Sequence, residues 1–196
     1  MFYDFAAVHN LSLIGLTGAA GCGKDTLADW LVENFDVTKI SLAEPIKEGL
    51  NAMLGFGPVH WNDRDWKERP LNGLGVSPRV LAQTLGTEWG RNHSEDFWLN
   101  VLFRRWEKLG HPLTVVPDVR FDNEAKSVID RGGIVIKIER ESAANIAAHS
   151  SEAGISPEYI SATVPNDSSI SEFTETALRA ILNPPKYRLE AEQCRL

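Results

Sequence analysis

The chain has 196 residues, 43% hydrophobic and 24% charged, which is enough material for a single three-layer domain. A net charge of −7 argues against a protein that coats nucleic acid or lies on a membrane, because either would carry a basic excess or tract. Two cysteines, Cys22 and Cys194, are too few for a disulfide framework and suit a reducing cytoplasm; Met1–Asn10 lacks the basic residues of a signal peptide, and no apolar run nears the roughly 20 residues that span a bilayer.

The first predicted strand, 11–17, runs into a glycine-rich turn and then a helix that begins near Lys24. Gly18, Gly21 and Gly23 permit backbone conformations that a Cβ would hinder, so successive N–H groups of Ala20, Gly21, Cys22 and Gly23 can point inward at phosphate oxygens while the helix adds its positive end. Lys24 is then placed to reach the β- and γ-phosphates of a triphosphate. Gly18 to Lys24 fit the pattern Gly-x-x-x-x-Gly-Lys, but Asp25 stands where the magnesium-binding hydroxyl belongs and the hydroxyl follows one residue later, as Thr26. The helix itself carries Leu27, Trp30, Leu31 and Phe35 at helical spacing, a core-facing stripe.

Further strands are predicted at 38–42, 113–117, 133–139 and 160–164, alternating with stretches of helical period, the signature of an α/β fold with a parallel sheet and helices on both faces. About seventy residues, Ala43 to Pro112, separate the second and third strands, far more than a crossover needs, so a mostly helical insertion is expected there with an irregular segment over 55–75. Within it, Arg79, Gln83 and Thr87 follow at i, i+4 and i+8 on one helix face continued by Arg91, while Leu81, Leu85 and Trp89 form the buried face. Two arginines on one stripe suit an anion, Gln83 suits the edge of a base or a sugar, and Trp89 or Trp98 offers a flat apolar surface. Gly86 and Gly90 weaken such a helix and suit close approach to a ligand.

The predicted third strand closes on Pro117-Asp118-Val119-Arg120. At the carboxyl end of a parallel strand, Asp118 can hold magnesium and Arg120 can present a planar fork to phosphoryl oxygens; the plainer alternative is a helix cap and a surface ion pair. His149 and Glu152, between the fourth and fifth strands, are read either as nucleotide contacts from a closing segment or as a local helix cap. The tail from Asn183 reads as a surface extension, and neither a zinc spacing nor a paired nucleophile and base is present.

The segments Gly23-Lys-Asp-Thr26, Leu42-Ala-Glu-Pro-Ile-Lys47, Gln83-Thr-Leu-Gly-Thr87, Val116-Pro-Asp-Val-Arg120, His149-Ser-Ser-Glu-Ala-Gly154 and Pro165-Asn-Asp-Ser168, in this order, resemble the bacteriophage deoxynucleoside monophosphate kinases over most of the chain. The resemblance implies a three-layer P-loop kinase fold with a five-stranded parallel sheet, and transfer of the γ-phosphate of ATP to a deoxynucleoside monophosphate (dNMP). It implies that Ala20 to Thr26 bind the ATP phosphates, that Asp25, Thr26 and Asp118 hold Mg²⁺, and that Asn166 and Asp167 lie near the adenine. Lys47, Arg79, Gln83, Thr87, Arg91 and Trp98 are the implied monophosphate contacts, with Asp118, Arg120 and Glu124 bridging toward the reacting phosphoryl group. Lys24, Asp118 and Arg120 are the implied catalytic residues, and the resemblance also points to a homodimer. A kinase for a coenzyme precursor or phosphomevalonate, and a slow nucleotide-hydrolysing switch, are the alternatives.

Overall fold

A computed structural model of the chain describes residues 11–143 and 154–184. His149 and Glu152, most of the tail after Asn183, and Met1–Asn10 lie outside the described residues. Two compact units are formed, one from residues up to Ile40 and from Trp106 onward, the other from Ser41–Arg105. Set against the insertion expected over about 43–112, the second unit begins two residues earlier and ends seven residues earlier.

The first unit is built on five parallel strands, β1 (Leu13–Thr17), β2 (Thr38–Lys39), β3 (Thr114–Val116), β4 (Ile134–Glu139) and β5 (Ala162–Pro165), in the order β2-β3-β1-β4-β5. Every residue of β1 and β3 is buried, as expected of central parallel strands covered on both faces. Because all five strands run the same way, the loops after β1, β3, β4 and β5 leave from one edge of the sheet, where an α/β fold gathers its ligands. Helix α1 (Lys24–Asn34) buries Leu27, Ala28 and Leu31. Phe173 and Ile181 of α7 (Ile170–Leu182) join them in a core with Ile14, Leu16, Ile134, Ile136 and Val164. The start of α7 is fixed by Ser169, whose hydroxyl accepts from the Glu172 N–H while the Glu172 carboxylate accepts from the Ser169 N–H.

The second unit holds α2 (Glu44–Leu54), a 3₁₀ turn (Pro58–Asn62), the short α3 (Arg64–Glu68) and α4 (Pro78–Gln83), and most of α5 (Phe97–Lys108). The segment expected to be irregular is therefore partly helical. Its centre is Ile46, Leu50 and Trp61, with the Trp61 indole N–H donating to Asn51 Oδ1 at 2.8 Å.

Thr84–Arg91 departs most from expectation: it winds as a π-helix continuous with α4. The wider turn rotates later residues about the axis, so the i, i+4, i+8 spacing no longer describes one face. The buried positions are Gly86 and Gly90, whereas Trp89, expected in the buried stripe, is 47% exposed. Both glycines make room for protein: a Cβ on Gly86 would stand 3.0 Å from the Ile46 side chain, and one on Gly90 would stand 2.4 Å from Trp98 Nε1.

Candidate functional site

The loop from Gly18 to Gly23 joins the buried end of β1 to α1 and is held from beneath. A Cβ on Gly18, where φ is +137°, would lie 2.3 Å from the Ile138 carbonyl oxygen, and one on Gly23, where φ is +108°, would lie 2.4 Å from Asn166 Nδ2. Glycine is thus required twice, for backbone conformation and for close packing. Gly23 is also the N-cap of α1 and has no side chain to satisfy the first N–H groups of the helix, which leaves them for an anion. Cys22 is wholly buried under the loop and its N–H donates to the Ala19 carbonyl at 3.2 Å.

Lys24 curls over this loop: Nζ donates to the carbonyls of Gly18 and Ala19, at 2.7 Å each, and lies 3.6 Å from Cys22 Sγ. Its ammonium is held over the cradle by weak neutral acceptors, and phosphate oxygens are stronger acceptors for the same charge. Asn166 donates from Nδ2 to the Cys22 carbonyl at 2.8 Å, and its own N–H donates to the Glu139 carbonyl at 2.7 Å. The Asn166 amide, expected near the adenine, braces the glycine loop from just after β5. Asp167 accepts from the Glu141 N–H at 3.0 Å, tying the same loop to the segment after β4.

Asp25 is exposed, with 82% of its side-chain surface open, and its Oδ1 stands 3.5 Å from Lys39 Nζ; Thr26 is exposed beside it. The same ammonium donates to Asp29 Oδ1 at 2.8 Å. Partial burial of Lys39 works against its charge, but the hydrogen bond to Asp29 and the fields of Asp25 and Asp29 outweigh it and raise the pKa above its usual value.

At the end of β3 the chain turns through Pro117 and Asp118. The Val119 N–H donates to the Leu16 carbonyl at 3.1 Å, and the Val119 side chain packs where a Cβ on Gly15 would meet it at 3.1 Å. That bond anchors the turn to β1 just ahead of the glycine loop, with Asp118 half-buried and Arg120 exposed. The Arg120 guanidinium makes no hydrogen bond or ion pair among the described residues. Glu124, in the first turn of α6 (Asp122–Ile129), is 5% exposed and uses Oε2 to accept from the backbone N–H groups of Arg120 at 2.7 Å and Phe121 at 3.1 Å. Its Oε2 is thus engaged by the backbone at the entry to α6. Asp122 accepts from both the N–H (2.8 Å) and the hydroxyl (2.6 Å) of Ser156, and these two donors lower its pKa. Neither the Asp122–Ser156 clamp nor Lys39 was foreseen from sequence, because each link spans residues with no shared motif.

The second unit separates its candidates by engagement. Arg79 pairs with Glu68 at 2.8 Å, and Arg91 donates to the Glu95 carbonyl at 3.2 Å. Lys47, Gln83 and Thr87 are half-buried, with no side-chain hydrogen bond or ion pair among the described residues. Trp98, offered as a flat surface, instead donates its indole N–H to the Gly86 carbonyl at 2.6 Å and sits against Gly90. The open indole is Trp89, edge-on to His93 (5.0 Å) and Phe97 (5.3 Å).

No group of three or more metal-ligating side chains occurs among the described residues, and no helix there is long and apolar enough to cross a membrane.

A protein of Acanthamoeba polyphaga mimivirus, provisionally named a deoxynucleotide monophosphate kinase, is 30% identical over 87% of this chain and 96% of its own. The deoxynucleoside-5′-monophosphate kinase of Escherichia phage T5 is 26% identical over 76% of this chain and 86% of its own. Among solved structures, a dephospho-CoA kinase from Campylobacter jejuni has a TM-score of 0.49 at 12% identity, covering 87% of this chain and 95% of that one. TT1252 from Thermus thermophilus has a TM-score of 0.48 at 19% identity, covering 88% and 96%. The family model described as deoxynucleotide monophosphate kinase matches residues 12–76 and 71–177, and with the glycine loop and the parallel sheet this identifies the chain as a member of that family, a phosphotransferase of the α/β P-loop kinase class.

Proposed function

We propose that this chain transfers the γ-phosphate of ATP to a deoxynucleoside 5′-monophosphate, giving the diphosphate and ADP for DNA synthesis. The carrying observation is the cradle itself: a glycine loop fixed beneath by Asn166, capped by Lys24, and adjoined through the Val119–Leu16 bond by the Asp118–Arg120 turn. The attacking phosphate oxygen is already anionic, so no strong base is needed and the work is alignment and charge neutralisation. Lys24 leaves the Gly18 and Ala19 carbonyls for the β- and γ-phosphates, the loop N–H groups take the remaining oxygens, and Arg120 shares the charge of the transferred group. Glu124 keeps Arg120 in place.

Asp25, Thr26 and Asp118 are the residues that would hold Mg²⁺, an exposed carboxylate and hydroxyl on α1 and a carboxylate at the end of β3. Such hard oxygen donors, completed by water and phosphate, suit this ion, which neutralises phosphate charge when bound. Lys47, Gln83, Thr87, Arg79 and Arg91 serve the monophosphate, with Trp89 replacing Trp98 as the surface for the base. The cytoplasm, which keeps the Cys22 thiol reduced, is where this reaction would run.

ATP consumption with Mg²⁺, measured against deoxy- and ribonucleoside monophosphates with coenzyme precursors as controls, tests the proposal. Deoxynucleotides should stimulate turnover strongly, and Lys24→Ala should lower it at least a hundredfold while melting like the wild type. Stimulation by coenzyme precursors alone, or a Lys24→Ala variant of normal rate, would overturn it.

A further inference from the structure

A carboxylate at position 25 raises an electrostatic problem. Asp25 is the second residue of α1, directly after Lys24, where the helix dipole favours one negative charge and where the phosphates of ATP would compete for that field. Asp29 follows one turn later on the same exposed side, so two like charges at i, i+4 repel one another as well. Both carboxylates face one cation, the ammonium of Lys39, at 3.5 Å and 2.8 Å. Lys39 lies on β2, paired with Val115 of β3, so a strand sets the position of its backbone. Its side chain is only 30% exposed.

We propose that Lys39 is a positioning residue for the donor-phosphate site: it balances Asp25 and Asp29, so that a carboxylate can occupy the hydroxyl position of the loop without repelling ATP. The inference rests on the reading of the loop as an ATP site. Lys39 acts through Asp25 and touches neither phosphate nor metal. Its effect is largest where no cation offsets Asp25, in metal-free nucleotide binding.

The test is calorimetric titration of the full chain with ATP, without any acceptor, in EDTA and then in Mg²⁺, alongside thermal melts. Lys39→Met should weaken metal-free ATP binding about fivefold, the scale of an exposed ion pair, with a smaller loss in Mg²⁺ and a steep dependence on ionic strength. Lys39→Arg should bind like the wild type, and the double variant Lys39→Met/Asp25→Asn should recover metal-free affinity to within about twofold. Asp25→Asn alone, which covers the case of a Lys39→Met chain that does not fold, should bind metal-free ATP more tightly than the wild type. Unchanged binding by Lys39→Met, no recovery in the double variant, or weaker metal-free binding by Asp25→Asn would each overturn the inference. Failure of the kinase reading looks different: a wild type that binds no ATP, or binds it without acceptor-stimulated turnover.

Discussion

Glu124→Ala removes a buried carboxylate whose single oxygen holds two backbone N–H groups, at 2.7 Å and 3.1 Å, at the point where the Asp118–Arg120 turn enters α6. Hydrogen bonds to a charged acceptor are worth about 1.5–3 kcal/mol each, and Arg120 is exposed enough for its N–H to regain water, so the expected loss is about 2–4 kcal/mol. For a chain of this size that lowers the melting temperature by roughly 5–12 °C. Glu124→Gln keeps an amide oxygen as acceptor without the charge, and should cost about 1 kcal/mol. Scanning calorimetry gives the stabilities. Steady-state kinetics below the transition should show kcat reduced at least about tenfold in Glu124→Ala, with little change in the KM for the monophosphate, because Arg120 is displaced from the transferred phosphoryl group. If Glu124 instead contacted the monophosphate, the alanine variant would melt like the wild type and only that KM would rise. This outcome would refute the positioning role.

Two further consequences are equally direct. Gly23→Ala puts a Cβ 2.4 Å from Asn166 Nδ2 at a φ of +108°. Strain of about 1–3 kcal/mol should push Asn166 off the Cys22 carbonyl and weaken ATP binding at least about tenfold, readable by the same titration. The Asp122–Ser156 clamp should depend on pH in one direction. The folded pKa of Asp122 is depressed by the Ser156 donors, so its contribution is complete above the ordinary carboxylate value and is lost as pH falls through the folded value. Exchange protection of the Ser156 N–H should therefore be present at about pH 6 and lost well below about pH 4, and Asp122→Asn should abolish that pH dependence.

The central strands were legible because parallel strands buried on both faces must be continuous apolar runs: β1, β3 and β4 fall within two residues of the predicted limits, and so does β5 at the sheet edge, where Val164 is buried. The predicted strand 38–42 was too long: after Lys39, Ile40 makes one more bond to the Val115 carbonyl and the chain then leaves the sheet. The glycine loop was legible for the same kind of reason, since its backbone needs residue types that leave a mark. Winding did not leave one: nothing in Thr84–Arg91 announces a π-helix, and an α-helical wheel therefore buried Trp89 and misjudged why Gly86 and Gly90 are small. The partners of Asn166 and Lys39 depend on tertiary distances, and a polar side chain looks the same in sequence whether it holds a ligand or a carbonyl.

The buried thiol beneath the loop gives this chain a clock of its own. Cys22 has no exposed surface, so an alkylating reagent reaches its sulfur only while the loop is unwound, and the half-time of labelling reads the opening equilibrium directly. With Cys194, the other cysteine of the chain, replaced by serine, the record comes from one atom. Each nucleotide that rivets the loop slows that clock in proportion to its occupancy.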